Sequence, residues 1–370
     1  MPSGTGASVL STLPDVPYTI DPVAFAQLTE KNVQPLDQFP TPGPGNAATF
    51  YLPKSGVVSQ LRMVFNGSLT VTAAVAGQTQ PIPSARWPYG LLGNFKLSAG
   101  LGAEIWDASG LDLTALNHAL HPFVSELVDQ YPGAVGGGGA ALAAGVYPLY
   151  LNFDVPIATD QTSLIASIFC QSSSANVAGQ VFQAVMSDLI EPGGTAALWT
   201  ITGTWTPVET VWAIPLSKSG LILPDISHVH IGAGINQAFT GTGRQPAMIQ
   251  RTAGVLQRLF LRAENTRTSF LSALPSTPSD ALIDEIRINY GLTQTPLVFN
   301  PASTLASLNN RWYGSPLPYD TYCYDTVREN AVRDAILLAG VTELQAQVYV
   351  DPAVVVETGA YTRVFEEILV

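Results

Sequence analysis

Two histidines stand two residues apart in "HVH", His228 and His230. On a strand that spacing puts both imidazoles on one face, and such a pair binds zinc when a third ligand arrives from elsewhere. No third ligand is adjacent, and two exposed strand histidines account for the pattern. His118 and His121 in "HALH" are spaced for one helix face, without a cysteine pattern nearby. In "PYDTYCYD", Asp320 and Asp325 lie among three tyrosines. That composition suits a cation or a sugar, and it equally suits an aromatic-lined loop at an interface. Trp199, Trp205, Trp212 and Trp312 offer stacking faces for a carbohydrate, but the first three sit in strand-like runs and read as core or interface aromatics.

Nucleophile and phosphate chemistry have no visible carrier. The chain lacks "GxSxG", "GxxxxGK[ST]" and "HExxH". A cupin-type metal enzyme would want a carboxylate soon after "HVH", and "HVHIGAGINQ" has none. The expectation is therefore no enzyme, with no catalytic residue, no metal site and no cofactor. Cys170 lies in the strand-like run "LIASIFCQ" and reads as a buried thiol, and the one other cysteine is Cys323. "NGS" at Asn66 matches a glycosylation sequon, but no basic and apolar leader precedes it.

Charge narrows the partners. The 370 residues carry 16 Lys and Arg against 28 Asp and Glu, a formal net charge of −12. A phosphate backbone demands the opposite balance, so direct nucleic-acid binding is not expected. Simple adsorption to an anionic membrane is disfavoured for the same reason. Arg251, Arg258, Arg262 and Arg267 come closest to a basic cluster, and they read as solvated strand faces or loop. Charged residues make up only 12% of the chain, about half the roughly 25% of ordinary soluble domains. Interface cores are depleted of charge in this way. No run qualifies as a transmembrane helix, since the longest uncharged apolar run starts in the Gly-rich "GAVGGGG".

The elements that hold these residues are mostly strands. Residues 1–46 read as an N-terminal arm ending in "FPTPGPGN", which is neither helix nor central strand. Within the arm, Asp21 is placed to cap a short helix with Pro22 at its first position. From Ala47, short runs alternate apolar and polar residues with period two. Helical spacing interrupts them at Leu111–Tyr131, at "ASTLASLNN" and at Asp325–Gly340.

The chain also repeats itself. "LLGNFKLSAGL" and "LIDEIRINYGL" match Leu91 with Leu282, Phe95 with Ile286, Lys96 with Arg287 and Gly100 with Gly291. Further matches are Gly56 with Gly254, Leu61 with Leu259, Leu113 with Leu305 and Asn117 with Asn309. The matched positions lie 191 (Leu91 to Leu282) to 198 (Gly56 to Gly254) residues apart. That spacing means duplication of a whole domain, since solenoid periods are roughly 20 to 50 residues. Roughly eight short strands per unit, with a helix in a long connection, favour a jelly roll over an immunoglobulin-like sandwich. The fold expected is all-β with short helices, two consecutive eight-stranded jelly rolls. Residues 47–220 form the first and 221–370 the second.

On this repeat, unit size, low charge and lack of catalytic motifs, the chain resembles the double jelly-roll major capsid proteins of tectivirus-like (tectivirus–adenovirus lineage) icosahedral phages. The resemblance implies a structural protein of the virion shell, made in the host cytoplasm. Three chains would form a homotrimer, a pseudo-hexagonal capsomer. Its partners would be neighbouring capsomers and penton or minor capsid proteins, with the N-terminal arm reaching toward an underlying viral membrane. The alternative is a carbohydrate- or receptor-binding β-sandwich protein of spike or lectin-like kind.

Overall fold

The structure, a computed structural model, describes residues 19–84, 86–99, 103–121, 140–158, 164, 166–170, 176–191, 193–217, 220–224, 228–249, 253–264, 282–290, 296–314, 317, 321–327, 336–338, 344–353, 356 and 360–370. The first unit has strands β1 (Lys31–Pro35), β2 (Ala47–Tyr51), β3 (Val57–Val71), β4 (Leu92–Ala99), β5 (Ala103–Ala108), β6 (Gly145–Pro156), β7 (Val177–Gln183) and β8 (Trp199–Trp212). They form two facing sheets, in the orders β1-β8-β3-β6 and β2-β7-β4-β5. The second unit has β9 (His230–Ala238), β10 (Gly243–Ala247), β11 (Val255–Glu264), β12 (Ile283–Tyr290), β13 (Leu297–Phe299), β14 (Thr321–Asp325), β15 (Leu344–Val350) and β16 (Tyr361–Leu369). Its sheets run β9-β16-β11-β14 and β10-β15-β12-β13. Adding eight to each number of the first unit reproduces the second. The duplication is thus one of topology, and each unit is an eight-stranded jelly roll.

Period-two patterning explains the layers. Along β6, Leu149, Leu151, Phe153 and Val155 are buried, while Tyr150 between them is exposed. Along β3, Leu61, Met63, Phe65 and Leu69 face the same core, where the Phe65 ring packs 5.0 Å from that of Trp205. The second core centres on Leu259, Leu261, Ile286, Ile288 and Val348.

The matched residues hold matching places. Gly56 and Gly254 have φ of +69° and +98° and lead into β3 and β11. A Cβ on Gly56 would fall 2.5 Å from Val211 Cγ2 and 2.6 Å from the Trp212 carbonyl oxygen. On Gly254 it would meet the counterparts, Ile368 Cγ2 at 2.9 Å and the Leu369 carbonyl oxygen at 2.7 Å. Each strand then bulges at its third residue, Ser59 or Gln257, where the register against the neighbouring strand shifts. Alanine at either glycine is expected to lower the unfolding free energy by about 1–3 kcal/mol. The double variant should show the sum in urea denaturation, because separate sites add.

A helix sits at the same point in each unit. These are α2 (Gly110–Leu120) and α3 (Ser303–Tyr313), the short α1 (Pro22–Leu28) preceding both. Asn309 on α3 donates to the Cys323 carbonyl oxygen at 2.8 Å and accepts from the Cys323 N–H at 2.9 Å. Asn117 on α2 makes the same pair with the backbone of Asp154, both bonds at 3.0 Å, with its amide oriented by these partners. Asp154 lies opposite Arg62, and Cys323 opposite Phe260, at equivalent ladder positions. The repeated asparagine is thus a repeated helix-to-strand clasp.

Two expectations change. The arm does not extend to residue 46, because β1 pairs with β8 and Phe39–Pro40 pairs with Thr204 and Trp205. Asp21 does cap α1, accepting from the N–H groups of Val23 and Ala24. Its Phe25 is fully buried against Val57, Leu164, Trp212 and Ile222. The polar "KNVQP" was not recognised as a strand because an edge strand at a half-solvated position needs no apolar alternation. Of the helix expected over Asp325–Gly340, Asp325 instead ends a strand and Ile336–Leu337 pairs with β11, while residues 328–335 and 339–340 lie outside the described residues. Of the helix expected over Leu111–Tyr131, α2 holds the first part, and residues 122–131 lie outside the described residues.

Candidate functional site, the joint between the two units

Strand β5 of the first unit pairs in parallel with β9 of the second, Trp106 opposite Gly232 and Asp107 opposite Ala233. This joint fuses one sheet from each unit into a single sheet of nine strands, counting Ile336–Leu337. Trp106 is fully buried. It lies over Gly232 so closely that a Cβ there would fall 2.2 Å from the indole ring. The second unit therefore needs glycine at this position.

His230 locks the joint. Its ring stands edge-on to Trp106, centroids 5.2 Å apart. Nδ1 lies 2.9 Å from the Pro156 carbonyl oxygen of the first unit, and Nε2 lies 3.0 Å from Glu367 Oε1. Glu367 accepts from Arg258 Nη1 at 2.7 Å, and Arg258 Nε donates to Asp325 at 3.2 Å. The Tyr313 hydroxyl donates to the same Asp325 oxygen at 2.9 Å. Burial opposes the charge on Glu367, but the Arg258 guanidinium and the His230 hydrogen bond prevail and hold its carboxyl down at about 2. Burial likewise opposes the Arg258 cation, which Glu367 and Asp325 hold charged.

A second cluster spans the joint beside it. Ser109 caps α2 and Asp112 returns to the Ser109 N–H, a capping box. The same Asp112 carboxylate accepts from Arg262 Nη1 at 2.8 Å and from Arg363 Nε at 2.9 Å, both on the second unit. Arg262 Nε donates to Glu264 at 2.8 Å, and Glu264 also takes Arg86 of the first unit at 3.0 Å. Burial would raise the Asp112 carboxyl, but Arg363 and Arg262 together hold it at about 2. Ser109, Arg86, Arg262, Glu264 and Arg363 of this cluster line a cavity of about 270 Å³. Its cations Arg86, Arg262 and Arg363 are matched by Asp112, Glu264 and Asp188. The arrangement fastens two domains and leaves no excess charge for an ionic substrate.

The structure disperses the residues weighed earlier for chemistry. His228 is exposed and precedes β9, whereas His230 is buried, so the two do not share an open face. His118 is buried on α2, and His121 is its exposed C-cap. Asp325 belongs to the Arg258 cluster, while Asp320 lies outside the described residues. Trp199, Trp205 and Trp212 are buried and Trp312 is half-buried against the first core. Arg258 and Arg262, expected on solvated faces, are 1% and 6% exposed. Both thiols are buried, and burial, aided by the nearby Glu209, pushes Cys170 up to about 12. Among the described residues no three His, Cys, Asp or Glu converge as metal ligands, and no helix is long and apolar enough to cross a membrane. Glu367 and Arg363 had no sequence motif to mark them, charge at period-two strand positions being the one available signal, whereas Asp112 carried one in the Ser109-x-x-Asp112 capping box that opens α2.

Two jelly rolls of one topology, fused edge to edge and pinned by buried ion pairs, define a double jelly roll. No protein-family profile matches the sequence, and no curated protein sequence does. The fold nevertheless matches solved structures over nearly the whole chain. One is the STIV MCP, at 13% identity and TM-score 0.66, covering 92% of this chain and 96% of that one. A second is PBCV-1 VP54 as fitted into a reconstruction of the virophage Sputnik, at 11%, 0.60, 92% and 94%. A third is the major capsid protein P2 from bacteriophage PM2, at 9%, 0.51, 91% and 97%.

Proposed function

We propose that this chain is the major capsid protein of an icosahedral virus and that it works by assembly. The observation that carries the reading is the duplicated eight-strand topology, fused into one rigid brick and shared along 92% of the chain with a viral MCP. Three such bricks supply six similar units, and a tile with six similar sides covers a shell by repetition. The buried aromatic residues favour this over glycan binding, because Trp199, Trp205 and Trp212 present no stacking face to solvent. Its partners are neighbouring capsomers, penton or minor capsid proteins and an underlying viral membrane. Mass photometry of the purified protein is expected to show a particle of three chain masses. A monodisperse monomer that binds glycans saturably would overturn the reading.

A further inference from the structure

The two edge strands that meet at the internal joint have counterparts that pair with no further strand among the described residues. Strand β13 is the counterpart of β5, since both end the sheet order of their unit next to β12 and β4. Leu97 pairs with Trp106 as Ile288 pairs with Leu297, and Lys96 with Asp107 as Arg287 with Val298. Strand β1 is likewise the counterpart of β9. Thr210, opposite Gln60, corresponds to Glu367, opposite Arg258. Val33 pairs with Thr210 as Gly232 pairs with Glu367, and Gln34 with Glu209 as Ala233 with Glu366. Among the described residues β1 and β13 lie at the ends of their sheet orders. Both carry exposed apolar side chains: Val33 at 65%, Leu297 at 41% and Val298 at 45%. Apolar open edges are what a folded protein must cover.

We infer that the internal joint is repeated between chains: β13 of one copy pairs in parallel with β1 of a second copy, Leu297 opposite Val33 and Val298 opposite Gln34. The inference rests on the capsomer reading and deepens it by naming the contact. Side-chain volume supports it. Inside the chain a tryptophan lies over a glycine with no room for a Cβ; between chains a leucine would meet a valine, the same space divided evenly.

Charge supports it independently. The outer face of the second unit's sheet is buried by the first unit, with Phe260 and Phe365 packed into the first core and Arg262 and Arg363 bound to Asp112. The corresponding residues of the first unit are Arg62, Val208, Val64 and Thr206, and Arg62 and Asn66 there are exposed. Asp112 corresponds to the exposed Thr304 and Glu264 to Asn66. The ion network inside the chain is thus replaced at the open contact by Thr304, Val64, Asn66 and Thr206. Arg62, the charged member of the corresponding set, is already paired with Asp154, so such a contact is buried without stranding a lone charge. A head-to-tail contact closes into a ring when its rotation divides a full turn, and with two units per chain a six-unit ring holds three copies.

The test is cysteine pairing in the full chain. Native Cys170 and Cys323 are buried, so background cross-linking is low. Val33→Cys with Leu297→Cys, oxidised in air with copper–phenanthroline, should give covalent dimers and trimers on a non-reducing denaturing gel, ending at three. Each single variant should stay monomeric on that gel. Val298→Asp should reduce the trimer fraction at least tenfold while leaving the circular-dichroism spectrum unchanged. A trimer by mass without cross-links would overturn the strand pairing and leave the capsomer reading standing. Self-cross-linking of Val33→Cys alone would overturn it in favour of a two-fold edge contact. A ladder continuing past three would refute ring closure, and a monomeric parent protein would remove both the inference and the reading beneath it.

Discussion

Replacing Asp112 by alanine should cost the chain about 3–5 kcal/mol of stability, the loss expected when one partner of a buried ion cluster is removed. One carboxylate holds Arg262 and Arg363 of the second unit and completes the cap of α2 in the first. Without it two guanidiniums remain in a site where their solvation is already lost. The cap adds about 1 kcal/mol to the damage. Because the residue sits across the joint, the urea transition should also broaden or split as the units uncouple. Arg62→Ala is the control, since its pair with Asp154 lies on the open face and is worth about 1 kcal/mol or less. The acid limb separates charge from shape. A carboxyl depressed from 3.8 to about 2 contributes stability present above pH 3.8, lost as pH falls toward 2. Asp112→Asn should lack that part of the acid loss. Equal effects of the Asp112 and Arg62 substitutions would show that the joint is held by packing alone.

Arg258→Met should be comparably severe at neutral pH, by about 3–5 kcal/mol, because it leaves Glu367 and Asp325 buried without their cation. Its pH dependence should run opposite to that of the parent. In the parent, Glu367 is held at about 2 against 4.5, so the stability it contributes disappears as pH falls from 4.5 toward 2. In the variant that carboxylate lacks Arg258, and protonation relieves it. His230, Tyr313, Cys323 and Asp325 surround the site and are common to both proteins. The stability gap between parent and variant should therefore narrow steadily from pH 5 to pH 2 in denaturant titrations. A gap that stays constant would mean that Arg258 acts through its bulk, which methionine largely preserves.

The duplication was legible because it is written in residues that backbone geometry constrains. Gly56 and Gly254 both sit at positive φ under a neighbouring carbonyl, and Asn117 and Asn309 both clasp a strand backbone. Such positions tolerate few substitutes, so the same residue stands at both of them. The joint was not legible. Arg258 and Arg262 alternate with Leu259 and Leu261 as the residues of a half-solvated strand do, and the pattern of one strand holds no information about a second domain lying over its outer face. Gly232 gave no warning either, since only the placement of Trp106 shows why a side chain is excluded. His230 was misplaced for a related reason: period two puts it on the face of His228 only if both lie in the strand, and β9 begins at His230. The arm expected from the sequence is too long because β1 takes its strand character from its partner β8 and not from its own residues.

Cryo-electron microscopy of particles assembled from this chain tests the central claim most directly. The account predicts a closed shell tiled by hexagon-outlined capsomers, each holding three copies and six jelly rolls, with β13 of one copy beside β1 of the next. Particles in which this chain is absent from the tiled shell and occupies only spikes, or a protein that stays monomeric at every concentration tried, would contradict it.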